Sequence, residues 1–165
     1  MKTLAILGSS RSDGNTARAL ESLTRDGSCE VIDLNARTMS GFRYDQAYDP
    51  EDPFLRIVEK IIAADHTILA TPVYWYSYSS VMKVFIDRFS DLLESRKETG
   101  RRLRGKKFIL LSTGSDPLPD PTLQAAYQNF CSYLGIENVG MVYAVESGQF
   151  SDMEEMMRIQ KLLRE

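Results

Sequence analysis

The chain has 165 residues and a formal net charge of −3, which excludes a protein held to nucleic acid by a general positive charge. Hydrophobic residues make up 43% and charged residues 26%, values that are typical of a folded domain and exclude a disordered chain. A single histidine, His66, and two cysteines, Cys29 and Cys131, are too few for the usual four-ligand zinc sites and for most nucleophile–histidine devices. Demanding chemistry would therefore need a group that the side chains do not supply.

The predicted elements alternate between strand and helix. An apolar strand over Thr3–Leu7 leads into a helix that begins near Asn15 and ends at 26–28, and Cys29–Leu34 is the second strand. The irregular stretch Asn35–Asp52 follows. The later predictions are a helix over Pro53–Ile62, a strand over His66–Ala70, a loop over Val73–Tyr78, a long helix over Met82–Leu93, a strand over Phe108–Leu111, a helix from Asp120 to Gly135, a strand over Val139–Val145 and a final methionine-rich helix.

Five strand–helix repeats predict an α/β fold, with one domain over 1–165 and a parallel sheet covered by helices on both faces. We expect no targeting segment, because the first apolar stretch is too short for one, and two cysteines so far apart suit a reducing compartment. We therefore expect a cytoplasmic protein with no membrane partner. In such sheets ligands bind at the carboxyl ends of the strands, so the loops after the first, third and fourth strands are the candidate sites.

The loop after the first strand, Gly8–Thr16, is dense in hydrogen-bond donors and precedes a helix. The Arg11 guanidinium suits a phosphate, and the N-terminus of the helix adds a favourable field for an anion. The pattern is neither a P-loop, because no lysine follows Gly14, nor the Gly-x-Gly-x-x-Gly of a dinucleotide site. The alternative is that these residues form only a turn and a helix cap.

The loop after the third strand carries four aromatic residues within five positions, Tyr74 to Tyr78, including Trp75, the only tryptophan. Aromatic side chains in a surface loop are unfavourable unless they cover something, and a planar conjugated ligand would stack on them. The alternative is that the rings pack on the long helix or on a partner subunit.

These two loops, together with Met82–Lys83, Phe85–Arg88 and Thr113–Ser115, resemble the flavodoxin-like NAD(P)H-dependent FMN reductases, near their iron–sulfur flavoprotein branch. The resemblance implies a five-stranded parallel sheet in the order 2-1-3-4-5 and one bound FMN. The residues that it assigns to the FMN phosphate and its cradle are Ser9, Ser10, Arg11, Gly14, Asn15 and Thr16. Those that it assigns to the isoalloxazine, its pyrimidine edge or the ribityl chain are Pro72, Val73, Tyr74, Trp75, Thr113, Gly114 and Ser115.

One departure from that branch is clear, because Asn35–Asp52 contains no cysteine where the iron–sulfur relatives carry their cysteine motif. We therefore expect no iron–sulfur centre. The implied activity is hydride transfer from NAD(P)H as co-substrate to FMN and on to a quinone, free flavin or similar small-molecule acceptor, with no catalytic side chain. The alternatives are an FMN electron carrier without NAD(P)H turnover and a flavin-free domain on the same fold.

Four further expectations concern assembly and individual charged or titratable residues. The aromatic loop and the long helix suggest a homodimer or a dimer of dimers, as is common in that family. The basic stretch Arg96–Lys107 either meets the NADPH 2′-phosphate or is a solvated helix end, and the second reading is favoured. His66 is expected to be structural, and Lys83 with Asp87 is expected to form an ion pair on one helix face.

Overall fold

The computed structural model describes residues 2–25 and 27–165. Its sheet has the order β2-β1-β3-β5-β6, with all neighbours parallel, and the short β4 pairs antiparallel with β3. The predicted order is confirmed, since only the added hairpin strand β4 changes the numbering. The strands are β1 Thr3–Leu7, β2 Cys29–Asp33, β3 His66–Tyr74, β4 Ser77–Tyr78, β5 Lys107–Gly114 and β6 Glu137–Val145.

Helices cover both faces of this sheet. As a result, β1 is buried along its whole length and its alternate residues belong to two different apolar clusters. Leu4 and Ile6 belong to one cluster, and Ala5 and Leu7 belong to the other. None of the helices in the described residues is both long and apolar enough to cross a bilayer. The helices are α1 Asn15–Thr24, α2 Phe54–Ala63, α3 Ser80–Asp87, α4 Asp91–Glu94, α5 Lys97–Arg101, α6 Pro121–Leu134 and α7 Met153–Leu162, with a 3₁₀ turn at Arg88–Ser90.

Two strands extend further at their carboxyl ends than the sequence indicates. β3 continues through Thr71 and Pro72 to Tyr74, because Pro72 is in register with Thr113 of β5 and the chain then folds back into the hairpin with β4. β5 likewise continues to Gly114, so Thr113 and Gly114 lie in a strand rather than in the turn expected there. The predicted end of α1 includes Asp26, which lies outside the described residues.

The predicted single helix over Met82–Leu93 is wrong at its centre, where the 3₁₀ turn at Arg88–Ser90 interrupts it. Arg88 and Asp91 are both buried, and Nε of Arg88 donates to Oδ2 of Asp91 at 2.8 Å. Side chains three residues apart eclipse in a 3₁₀ turn, which suits this ion pair. The apolar periodicity continues across the break, so periodicity alone could not reveal it.

Arg88 also fastens the irregular segment 35–52 to this turn. Its Nη1 donates to the carbonyl oxygen of Ser40 and to Oδ2 of Asp52, both at 2.9 Å. The ring of Tyr48 lies against the guanidinium, with its centroid 3.5 Å from the central carbon, and the Tyr48 hydroxyl donates to Asp91 at 2.9 Å. A segment without helix or strand is thereby held by one buried cation.

Candidate functional site

The loops after β1 and β3 are joined by Ser79, which caps α3. The Ser79 hydroxyl donates to the carbonyl oxygen of Gly8 at 2.6 Å and accepts from the amide of Met82 at 3.1 Å, while the Ser79 amide donates to the Thr71 hydroxyl at 3.1 Å. Gly8 is required here by close approach, because a Cβ on it would lie 2.7 Å from Cβ of Met82. The start of α3 therefore packs directly on the end of β1.

A second link joins the first turn of α1 to the end of β5. The hydroxyls of Thr16 and Thr113 are hydrogen-bonded at 2.7 Å, and both side chains are buried. The structure thus brings three predicted loops to one edge of the sheet. It also shows that Thr16 and Thr113 have a shared structural contact, and that Pro72, also buried, lies in strand β3.

The start of α1 forms a cradle with the character of an anion site. The helix begins after Gly14 without a side-chain cap and has no acidic residue in its first turn. Ser9 is buried beneath the loop, whereas Ser10 and Arg11 are exposed. The Arg11 guanidinium lies over the helix start, since a Cβ on Gly14 would lie 3.4 Å from Nε of Arg11. Uncapped N–H groups, the helix dipole and a guanidinium converge, which favours a bound phosphate.

Arg18 is a further member of this cradle that the sequence analysis missed. Its Nη1 donates to the carbonyl oxygen of Asp13 at 3.1 Å, and its Nη2 donates to the side-chain oxygen of Asn15. Asn15 is therefore left with its amide N–H groups to offer a ligand. The spacing of three residues from Asn15 was the available signal, because residues i and i+3 share a helix face.

A cavity of about 200 Å³ lies beside the cradle, between the β3–β4 hairpin and the residues that follow β5. It unites predicted residues from both loops with three that the sequence did not single out, Asp116, Leu118 and Tyr143. The Tyr143 hydroxyl donates to the carbonyl oxygen of Asp116 at 2.7 Å and fixes that wall, and burial raises the pKa of this phenol. The lining residues are Val73, Trp75, Tyr76, Gly114, Ser115, Asp116, Leu118, Asp120 and Tyr143.

The aromatic rim of this cavity is a strained turn. Trp75 and Tyr76 form the two-residue tip of the hairpin with φ of +49° and +63°, a conformation that costs non-glycine residues about 1–3 kcal/mol each. The Trp75 side chain is 93% exposed, and Tyr74 and Tyr76 are also exposed. A strained tip that presents apolar rings to solvent indicates that these rings act on a ligand or a neighbouring molecule.

His66 and the end of the basic stretch lie at the opposite edge of the sheet. His66 is the first residue of β3, and within the described chain neither of its ring nitrogens has a hydrogen-bond partner. Burial lowers its pKa. The basic stretch Arg96–Lys107 ends at the first residue of β5, and Arg102 pairs with Glu59 at 2.8 Å. The expected pair of Lys83 and Asp87 is confirmed at 2.6 Å.

Comparison with known proteins identifies the family of the chain. A family model described as NADPH-dependent FMN reductase matches residues 1–149. A relative from Bacillus subtilis (strain 168), YwqN, named as an NAD(P)H-dependent FMN-containing oxidoreductase, is 30% identical over 123 residues, which are 70% of this chain and 68% of the relative.

Two solved structures share the fold. The Trp repressor binding protein from Bacillus subtilis superimposes with a TM-score of 0.74 at 23% identity, covering 98% of this chain and 97% of that one. An FMN-dependent NADH-azoreductase from Bacillus anthracis in complex with FMN has a TM-score of 0.62 at 15% identity, covering 99% and 96%. At these identities the two structures support the fold alone.

Proposed function

Since this chain belongs to the NADPH-dependent FMN reductase family, we propose that the cradle at the start of α1 and the adjacent cavity together hold its FMN. The chain is an NAD(P)H-dependent oxidoreductase of that family and uses a small-molecule electron acceptor. When bound, the flavin supplies the redox chemistry, so that hydride passes from NAD(P)H to the flavin and on to the acceptor. The side chains bind, orient and shield.

The phosphate is assigned to the cradle. Ser9, Ser10, Asn15 and Thr16 offer hydroxyl, side-chain amide or backbone N–H donors, Arg11 offers a charged fork, and Gly14 lets the Arg11 side chain lie close to the first turn. The observation that carries the assignment is the uncapped start of α1 with Arg11 over it. A helix end without a cap needs another partner for its N–H groups, and a phosphate provides several acceptors.

The flavin ring is assigned to the cavity. Val73, Trp75, Gly114 and Ser115 line it directly. Pro72, Tyr74 and Thr113 are not among its lining residues, but they belong to the same paired strand ends. His66, the only histidine, is at the other end of β3, so no histidine of this chain is placed to exchange protons with the ring. The residues of the cavity therefore act by orientation and by limiting access of water.

Replacement of Arg11 tests the phosphate assignment. Loss of one charged hydrogen bond costs about 1.5–3 kcal/mol, so Arg11→Ala should weaken FMN binding by about 10- to 150-fold in a fluorescence titration. Arg56→Ala is the matched control, since Arg56 is an exposed arginine of α2 paired with Glu51. An unchanged dissociation constant for Arg11→Ala would contradict the assignment.

Steady-state turnover distinguishes an enzyme from an electron carrier. The wild-type protein should be yellow, should bleach on addition of NADPH, and should oxidise NAD(P)H continuously in the presence of a quinone. Reduction without turnover would favour the carrier. A colourless protein that takes up no added FMN would favour a flavin-free domain.

We also propose that the protein is a homodimer or a dimer of dimers, acting in the cytoplasm as one domain over the whole chain. The support for assembly is the exposed group of Tyr74, Trp75 and Tyr76, which a second copy could cover at the edge of the cavity. The support for a reducing compartment is that Cys29 and Cys131 are both free thiols. Light scattering that reports a monomer would contradict the assembly.

A further inference from the structure

A second groove, of about 240 Å³, adjoins the cradle on the side of β2. One of its walls contains Leu34, whose amide donates to the carbonyl oxygen of Leu7 at the end of β1 at 2.9 Å. Its other wall begins at Ser80, the residue after the Ser79 that bonds to Gly8. The groove and the cradle therefore share one edge of the sheet. The lining residues are Leu34, Asn35, Arg37, Met39, Ser80, Val81 and Val84.

The groove combines an apolar lining with one cation. Four of its side chains are aliphatic or thioether groups, which suit a flat heterocycle. The Arg37 side chain is exposed, and within residues 2–25 and 27–165 its guanidinium makes no hydrogen bond or ion pair. Glu30, whose carboxylate Arg37 influences at a distance, is already paired with Lys60. Arg43, the next arginine along the chain, pairs with Asp45 at 2.7 Å.

An unpaired guanidinium beside an apolar groove matches one group in particular. A phosphate monoester accepts two parallel hydrogen bonds from the guanidinium fork, and the attached nucleoside would lie on the apolar lining. We propose that this groove binds the adenosine 2′-phosphate end of NADPH, with Arg37 as the residue that selects NADPH over NADH. This inference rests on the proposed function, because it assumes that the nicotinamide end reaches a flavin in the cavity.

The distances in the sheet permit this arrangement and disfavour the basic stretch as the site of the 2′-phosphate. β2 and β5 are three strand spacings apart, about 14 Å, which an extended dinucleotide can span. Lys107 is at the other end of β5, seven residues and about 23 Å from Gly114. Lys107, at the end of the basic stretch, therefore lies a whole strand length from the cavity of the same chain, whereas Arg37 lies at the same edge as the cavity.

Steady-state kinetics with both nucleotides test the inference. Arg37→Ala should raise KM for NADPH by at least about 10-fold, the loss expected for even one of its two charged hydrogen bonds, with KM for NADH and kcat changed less than twofold. Arg104→Ala, in the basic stretch, should leave both KM values unchanged. In calorimetry the wild-type protein should bind 2′,5′-ADP more tightly than 5′-ADP, and Arg37→Ala should lose that difference.

Several results would overturn the inference. They are equal use of NADPH and NADH by the wild-type protein, an Arg37→Ala variant that affects both nucleotides alike or neither, and a selective effect of Arg104→Ala. Failure of the proposed function has a different signature, since the wild-type protein would then oxidise neither nucleotide. The calorimetric comparison needs no turnover, so it would still decide whether Arg37 recognises the 2′-phosphate.

Discussion

Replacement of Arg88 by methionine should destabilise the protein strongly. The Arg88 side chain is 2% exposed, and its two partners, Asp52 and Asp91, are 6% and 5% exposed. Methionine fills part of the space but leaves two buried carboxylates without their cation. Removal of one partner from a buried ion pair costs about 3–5 kcal/mol. At about 2–4 °C per kcal/mol for a protein of this size, the melting temperature should fall by about 6–20 °C.

Thermal unfolding followed by circular dichroism is the assay, with Lys83→Met as the matched control. Lys83 and Asp87 also form an ion pair, but their side chains are 50% and 46% exposed. An exposed pair contributes less than about 1 kcal/mol, so Lys83→Met should melt within a few degrees of the wild-type protein. A triple variant with Asp52→Asn and Asp91→Asn added to Arg88→Met should recover part of the loss, because it removes the unpaired charges.

The loss of stability in Arg88→Met should depend on pH in a defined direction. Burial acts to raise the pKa of Asp52, but the hydrogen bonds from Arg88 and from two backbone amides keep this pKa below its ordinary 3.8. In the wild-type protein Asp52 therefore stabilises the fold above pH 3.8, and that contribution is lost as the pH falls through its lower folded pKa. Without Arg88, burial raises the pKa, so protonation relieves the variant as the pH falls from 7 towards 4. A melting temperature within 2 °C of wild type at pH 7, or a deficit equal at pH 4.5 and 7, would refute this reasoning.

Two smaller changes give independent tests. Gly8→Ala should weaken FMN binding and lower the melting temperature, because the new Cβ would lie 2.7 Å from Cβ of Met82 and displace the start of α3. Such overpacking costs about 1–3 kcal/mol, and a variant that binds FMN like wild type would contradict this prediction. His66→Phe should flatten the pH dependence of stability, because burial lowers the pKa of His66 below its ordinary 6.5 and the wild-type protein therefore loses stability as the pH falls below 6.5. Identical profiles of melting temperature between pH 5 and 7.5 for the variant and the wild-type protein would contradict this prediction.

The parts of the fold that depend on local signals were predictable from the sequence. The five apolar residues of β1 are all buried, as a central parallel strand requires. The start of α6 is also as expected, because Asp120 accepts hydrogen bonds from the amides of Thr122 and Leu123. Its end follows from Gly135, whose φ of +69° closes the helix in the left-handed region. Each of these features involves residues within a few positions of one another.

The parts that were missed depend on partners far apart in sequence. Thr16 and Thr113 are 97 positions apart, and no periodicity identifies them as a pair. Arg88 reaches back 48 positions to Ser40, and that contact accompanies the break in a helix whose apolar pattern is continuous. The family resemblance supplied the location of the candidate site, but the contacts that join its loops required coordinates.

The net charge of −3 and the phosphates of FMN and NADPH are compatible, because local charge decides where an anion binds. Exposed charges more than about 8 Å apart are largely screened at physiological salt, so the acidic surface as a whole repels these ligands only weakly. The carboxyl edge of the sheet carries Arg11, Arg18 and Arg37, which lie at the cradle and the adjoining groove. Arg11 and Arg37 are therefore expected to matter more for nucleotide binding than an equal change in charge elsewhere on the surface.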